Sequence, residues 1–216
     1  MKKYRGVIFD LDGTLLDTID DISDSMNDVL KQYSHPTFTS EEYKLKIGGG
    51  FKNLALNSFP KGTLEKIINE SIELFANMYD KRYMNKSKPY EGIDELLDIL
   101  VDKDIKLGVN SNKRNDYTNN LVNNFFQKIP FVAVYGECKD IPTKPDPTLV
   151  LKITKAMDLK PEEILYVGDT NTDMMTAGNA GVDSVGVLWG FRSYEELKKY
   201  GAKYIISNPK ELLDII

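Results

Sequence analysis

Short, nearly continuous apolar runs recur along the chain, separated by stretches of helical periodicity. The runs are "GVIFD" (6–10), "KLGVNS" (106–111), "FVAVYG" (131–136), "ILYVGD" (164–169), "DSVGV" (183–187) and "YIIS" (204–207). They do not alternate cleanly between apolar and polar, which is the pattern of strands covered on both faces. Between them, "DELLDILVDK" (94–103) sets Leu96, Leu97, Leu100 and Val101 on one helical face, and "PTLVLKITKAMDL" (147–159) reads as a second helix. Alternating β and α units predict an α/β fold, a Rossmann-like, doubly wound parallel sheet.

Residues 17–84 break this rhythm. Ile19, Ile22, Met26, Val29, Leu30 and Tyr33 follow helical spacing, as do Leu64, Ile67, Ile68, Ile72, Phe75, Met78 and Tyr79. Between the two sets lie an expected N-cap at Ser40 and a three-glycine turn at Gly48–Gly50. No strand candidate stands out. The expected organisation is a core of 1–16 plus 85–216, with 17–84 inserted as an all-helical cap.

Composition narrows the class. The 216 residues carry a formal net charge of -5, and the pI is about 5.1. Nothing in that balance favours a nucleic acid partner. Cys138 is the only cysteine, so no intrachain disulfide forms and a reducing compartment is expected. The basic start "MKKYR" leads into an apolar run that Asp10 and Asp12 interrupt before signal-peptide length. No stretch reaches the ~18 apolar residues of a membrane span. These features predict a cytoplasmic, soluble protein, monomer or homodimer, with no membrane partner.

The chemistry is concentrated where the predicted strands end, the place where parallel α/β sheets collect ligands. The first run ends at Asp10, with Asp12 two residues on; in extended chain both side chains point the same way. The second ends in Ser111 and Asn112, the fourth in Asp169, and Asp173 falls one helical turn later. The proline-rich "IPTKPDP" presents Lys144. Converging carboxylates need a cation between them, and hard oxygen ligands from Asp10, Asp12 and Asp169 suit Mg²⁺. A single histidine and a single cysteine argue against zinc or iron. Lys144 and the Ser111 hydroxyl are suited to neutralising a phosphoryl group.

The stretches "VIFDLDGTLLDT", "GVNSNK", "TKPDP" and "GDTNTDMMTAGNAG" resemble the four motifs of the haloacid dehalogenase superfamily, close to its phosphoglycolate phosphatase branch. The resemblance covers the whole chain, the helical insertion included. It implies a Mg²⁺-dependent phosphatase acting on a small phosphorylated metabolite through an aspartyl-phosphate, with 2-phosphoglycolate as the leading substrate. Asp10 would be the nucleophile; sequence alone does not distinguish it from Asp12. Asp12 would protonate the leaving alcohol and then activate water, favoured by a nearby carboxylate and partial burial. Asp10, the backbone carbonyl of Asp12, and Asp169 would hold the metal, supported by Asp173. Ser111, Asn112 and Lys144 would bind the phosphoryl oxygens. Gly49 and Gly50 are the expected cap residues for an anionic group. A dehalogenase needs no acid at position 12, so Asp12 favours phosphate esters. The alternatives are a pyrophosphatase or nucleotide phosphatase, a β-phosphoglucomutase-like mutase, and a non-catalytic phosphate-binding module.

Overall fold

A computed structural model describes residues 3–216. The chain forms two compact units, one made of the chain up to Leu16 together with Pro89–Ile216, the other of Asp17–Lys88.

The first unit is built on a six-stranded parallel sheet. Its strands are β1 (Gly6–Phe9), β4 (Lys106–Arg114), β5 (Phe131–Glu137), β6 (Ile164–Gly168), β7 (Asp183–Val187) and β8 (Tyr204–Ile206). Their order is β5-β4-β1-β6-β7-β8. Each run expected to be a strand is one. β2 (Leu16–Asp17) and β3 (Lys88–Pro89) pair separately as a two-stranded ribbon. Two residues are too short to carry any periodicity, so sequence pattern does not reveal them.

The apolar runs are explained by what covers them. Every residue of β1 and β6 is buried, because helices pack on both faces of the sheet. Ile8, Ile164 and Tyr166 share a core cluster with Val150, Ile153 and Met157 of α7 (Thr148–Ala156) and Ala177 and Ala180 of α8 (Asn171–Ala180). β5, at the sheet edge, is only partly buried. Helices α5 (Ile93–Asp102), α6 (Asn115–Phe125) and α9 (Tyr194–Lys199) complete the layers.

Strand order fixes where the site must lie. β1 pairs with β4 on one side and with β6 on the other, Gly6 lying opposite both Lys106 and Ile164. The chain builds outward from β1 through β4 and β5, then returns to build β6, β7 and β8 in the other direction. The carboxyl ends of β4, β1 and β6 therefore border the switch point, where open α/β sheets bind ligands.

The second unit is helical, with α1 (Ile19–Gln32), α2 (Ser40–Lys44), α3 (Gly50–Ser58) and α4 (Glu65–Tyr79). Its core uses the expected apolar faces. Ile19, Ile22, Met26, Val29 and Leu30 of α1 are buried, as are Ile68, Phe75 and Tyr79 of α4. Leu64 is not among them; it sits at the N-cap of α4 and is exposed. Phe75 and Tyr79 stack at 5.3 Å, and Phe51 meets Phe75 edge-on at 4.6 Å. The N-cap of α2 is Thr39 rather than Ser40. Thr39 Oγ1 accepts from the Glu42 amide, and Glu42 Oε2 accepts from the Thr39 amide, a reciprocal capping box. Ser40 is left free of that duty and donates to Asp20 at 2.6 Å.

Residues 85–88 travel with the helical unit because of one buried carboxylate. Asp21, 1% exposed on α1, accepts from the amides of Lys86 and Ser87 and from the Ser87 hydroxyl, at 2.8–3.1 Å. Replacing it leaves two backbone N–H groups without their acceptor. Asp21→Ala is therefore expected to lower unfolding free energy by about 2–3 kcal/mol in urea titration. A loss below about 0.5 kcal/mol would show that water replaces the carboxylate without cost.

Candidate active site

Asp10 is the first residue after β1, and its amide donates to Val167 on β6 at 2.9 Å. That bond continues the sheet by one residue and directs the carboxylate beyond the strand ends. Its Oδ1 lies 2.8 Å from Lys144 Nζ. The contact is ionic, since no hydrogen-bond donor among the described residues is aligned on that buried oxygen. Lys144 also donates to Asp173 Oδ1 at 2.7 Å. The proline-rich loop thus carries a buried lysine, 7% exposed. Asn112 holds it there: Oδ1 accepts from the Lys144 amide at 2.8 Å, and Nδ2 donates to the Lys144 carbonyl at 3.3 Å.

Asp169 follows β6. Thr14 Oγ1 donates to its Oδ1 at 3.0 Å, and the Phe191 amide donates to Oδ2 at 2.8 Å. The turn that brings Thr14 there requires a glycine. Gly13 has φ +87° and a Cβ on it would stand 2.3 Å from Asp169 Oδ2, so strain and collision both exclude a side chain. Asp173 lies at the third position of α8, in a capping box with Thr170. Its Oδ2 accepts from the Thr170 amide and hydroxyl at 3.0 and 2.7 Å.

Asp12 takes a different partner. Lys113 Nζ donates to both of its carboxylate oxygens, at 2.9 and 3.0 Å. The lysine side chain is 1% exposed. The sequence reading expects a nearby carboxylate and partial burial at Asp12; the structure also gives it an ammonium group, that of Lys113. Ser111, buried beside it, accepts from the Lys113 amide at 3.2 Å.

The charges do not balance. Four carboxylates, Asp10, Asp12, Asp169 and Asp173, face two buried ammonium groups. Among the described residues Lys113 and Lys144 are the only buried lysines. The excess negative charge shows in the titration of the cluster. Burial, and next the charge of Asp173, push Asp10 up to about 7, with Lys144 pulling the other way. Asp169 is raised well above the usual carboxylate range, by burial and then by Asp173 and Asp10. One oxygen from each of Asp10, Asp169 and Asp173 lies within 4.8 Å of the others. An all-oxygen donor set with unmatched negative charge fits a hard divalent cation.

Sequence reasoning did not single out Lys113, Thr14, Tyr166 or the Phe191 amide. Lys113 was readable: it stands two residues after Ser111 in extended chain, the same spacing that joins Asp10 to Asp12. Tyr166, whose hydroxyl donates to the Asn110 carbonyl at 3.2 Å and lies 3.4 Å from Asp173 Oδ1, looks like any strand aromatic in sequence. Gly49 and Gly50 belong to the helical unit. Gly49 is the N-cap of α3, and Gly50 is its first residue, with φ +75°.

A family model for haloacid dehalogenase-like hydrolases matches residues 7–187. A phosphoglycolate phosphatase from Aquifex aeolicus is 30% identical, over 98% of this chain and 96% of its own. The pyrophosphatase PpaX from Anoxybacillus flavithermus is 28% identical, over 97% and 95%. A crystal structure from Lactobacillus delbrueckii subsp. bulgaricus superposes with a TM-score of 0.93 at 30% identity, covering 99% of each chain.

The raised titration of Asp10 has a measurable sign in protein stripped of metal. An unfolded aspartate loses its proton near pH 4, roughly, whereas Asp10 keeps its own to about 7. The folded state holds the extra proton between those limits. Stability from this group is fully present at low pH and is lost as pH rises through 7. Asp10→Asn removes the effect. In EDTA, the Tm of the variant relative to wild type is expected to rise from pH 5 to pH 8; a flat or falling difference would contradict the assignment.

Proposed function

The chain belongs to the haloacid dehalogenase-like hydrolases, and on that premise we propose that it is a magnesium-dependent phosphatase of small phosphate esters, with 2-phosphoglycolate as the leading substrate. The observation that carries this reading is that the two aspartates of the first loop take different lysine partners. Asp10 lies against Lys144 and the Asp169–Asp173 pair, while Asp12 is paired with Lys113. A nucleophile and a proton-transfer group need that division of labour. The family resemblance supplies which aspartate takes which role.

In this reading Asp10 attacks phosphorus, and the bond to the ester oxygen breaks as Asp12 delivers a proton to it. Water then attacks the aspartyl-phosphate, Asp12 takes its proton, and inorganic phosphate leaves. Lys144 and the Ser111 hydroxyl bind the phosphoryl oxygens. Asn112, whose side chain meets the backbone of Lys144 on both sides, serves by fixing that lysine rather than by touching substrate. Asp10, Asp169, Asp173 and the carbonyl of Asp12 would hold magnesium. When bound, the ion supplies positive charge that keeps Asp10 ionised and offsets charge on the phosphoryl group.

The Aquifex aeolicus relative supports phosphoglycolate as the substrate. The Anoxybacillus flavithermus relative favours a second reading, pyrophosphate hydrolysis on the same residues. A panel of 2-phosphoglycolate, pyrophosphate, hexose phosphates and p-nitrophenyl phosphate, assayed with Mg²⁺, separates them by kcat/KM. The expected outcome is highest turnover of 2-phosphoglycolate, with every activity reduced at least about 10³-fold by Asp10→Asn. Pyrophosphate as the best substrate would select the second reading. Absence of turnover across the panel would overturn both.

A further inference from the structure

We infer that Lys113 is a positioning residue for proton transfer: it holds the Asp12 carboxylate where it meets the leaving oxygen and, later, the attacking water. The inference rests on the phosphatase reading and extends it to a residue outside the nucleophile, metal and phosphoryl-binding set.

Three observations lead to it. The first is the contact itself. One ammonium group reaches both oxygens of Asp12, at 2.9 and 3.0 Å, so the carboxylate is fixed in rotation as well as in place. The second is burial. The Lys113 side chain is 1% exposed and that of Asp12 13%. Taking an ammonium group out of water is costly, and an apolar pair of similar volume is often as stable or more so. A purely structural contact at this position has no need of charge.

The third is the rigidity of both ends. The Lys113 amide donates to Ser111 Oγ at 3.2 Å, and its carbonyl accepts from Thr118 Oγ1 at 3.1 Å, at the start of α6. Gly136 on β5 backs that carbonyl so closely that a Cβ there would stand 2.4 Å from it. On the other side, the Leu11 carbonyl accepts from the amides of Thr14, Leu15 and Leu16, closing a tight turn around Asp12. Neither backbone is placed to follow a carboxylate that swings. The ion pair therefore sets where Asp12 points.

The chemistry requires such a hold at a defined moment. Cleavage of the ester transfers a proton from Asp12 to the departing alkoxide oxygen and leaves Asp12 negatively charged. The attacking water returns a proton to it as the Asp10–phosphorus bond breaks. Lys113 exchanges no proton in either step; its two hydrogen bonds hold the charged form through the interval between them.

The test uses leaving groups that differ in their need for a proton, on the full-length protein with Mg²⁺. Nitrophenolate departs without protonation, whereas an alkyl alkoxide does not. In Lys113→Met, kcat/KM for an alkyl phosphate is expected to fall about 10- to 100-fold further than kcat/KM for p-nitrophenyl phosphate. Nitrophenolate release should also show a burst followed by slow turnover, because return of the proton from water is impaired. Lys113→Arg, which keeps two donors, should restore much of the difference.

Equal losses for both substrates would mark a structural role and overturn the inference. So would a KM increase confined to carboxylate-bearing substrates with kcat intact, since Lys113 would then be binding substrate. Asp12→Asn/Lys113→Met removes both charges together, which covers failure of the single variant to fold. It should match Asp12→Asn alone, and an additive further loss would contradict coupling through Asp12. Asp10-dependent turnover insensitive to Lys113 would overturn this inference only; absence of any Asp10-dependent turnover would overturn it together with the phosphatase reading.

Discussion

The arrangement of this site follows from burying more negative charge than the chain can neutralise. Asp10, Asp12, Asp169 and Asp173 gather beyond the carboxyl ends of β1 and β6, and among the described residues Lys113 and Lys144 are the only lysines buried with them. Lys144 is shared by Asp10 and Asp173, while Lys113 is paired with Asp12. The remaining deficit falls on Asp10, Asp169 and Asp173, whose oxygens already cluster. A site left in this state is unstable at neutral pH, and a divalent cation is the group whose charge and oxygen preference relieve it. Electrostatic discomfort in the protein alone is thus what makes the cluster fit for a divalent cation.

The fold exists to impose that discomfort. β1 lies between β4 and β6, so consecutive switch-point loops deliver residues from distant parts of the chain to one place. Backbone devices then hold each group: the Asp10 amide on Val167, Asn112 on both sides of Lys144, and the Thr170 capping box around Asp173. Gly13 lets the first loop pass Asp169 at a distance no side chain would tolerate. The bonds at Asp10 and Asn112 are between neutral groups, whereas those from Thr170 go to the Asp173 carboxylate and are charge-assisted.

Much of this was readable before the structure. The central strands β1 and β6 announced themselves because both faces of the sheet are covered there, which forces apolar residues at consecutive positions. Asp173 was placed correctly by helical spacing from Asp169. Other features were hidden for physical reasons. The Thr39 cap lost to Ser40 in sequence because adjacent hydroxyl residues are equivalent until the partner of Glu42 is seen. Asn112 has the chemistry of a ligand contact, yet its amide is engaged by Lys144 across a separation of 32 residues. Lys113 was obscured by the general expectation that lysines are solvated, although its position two residues past Ser111 pointed inward. Convergence of Thr14 and the Phe191 amide on Asp169 has no local signature at all.

The central claim is that this cluster is built around one divalent cation held by Asp10, Asp169 and Asp173. Isothermal titration of the chelator-treated protein with Mg²⁺ tests it directly. The account predicts a single site per chain in the wild-type protein and loss of that binding in Asp169→Asn. Binding undiminished in the variant, or no binding to the wild-type protein, would contradict it.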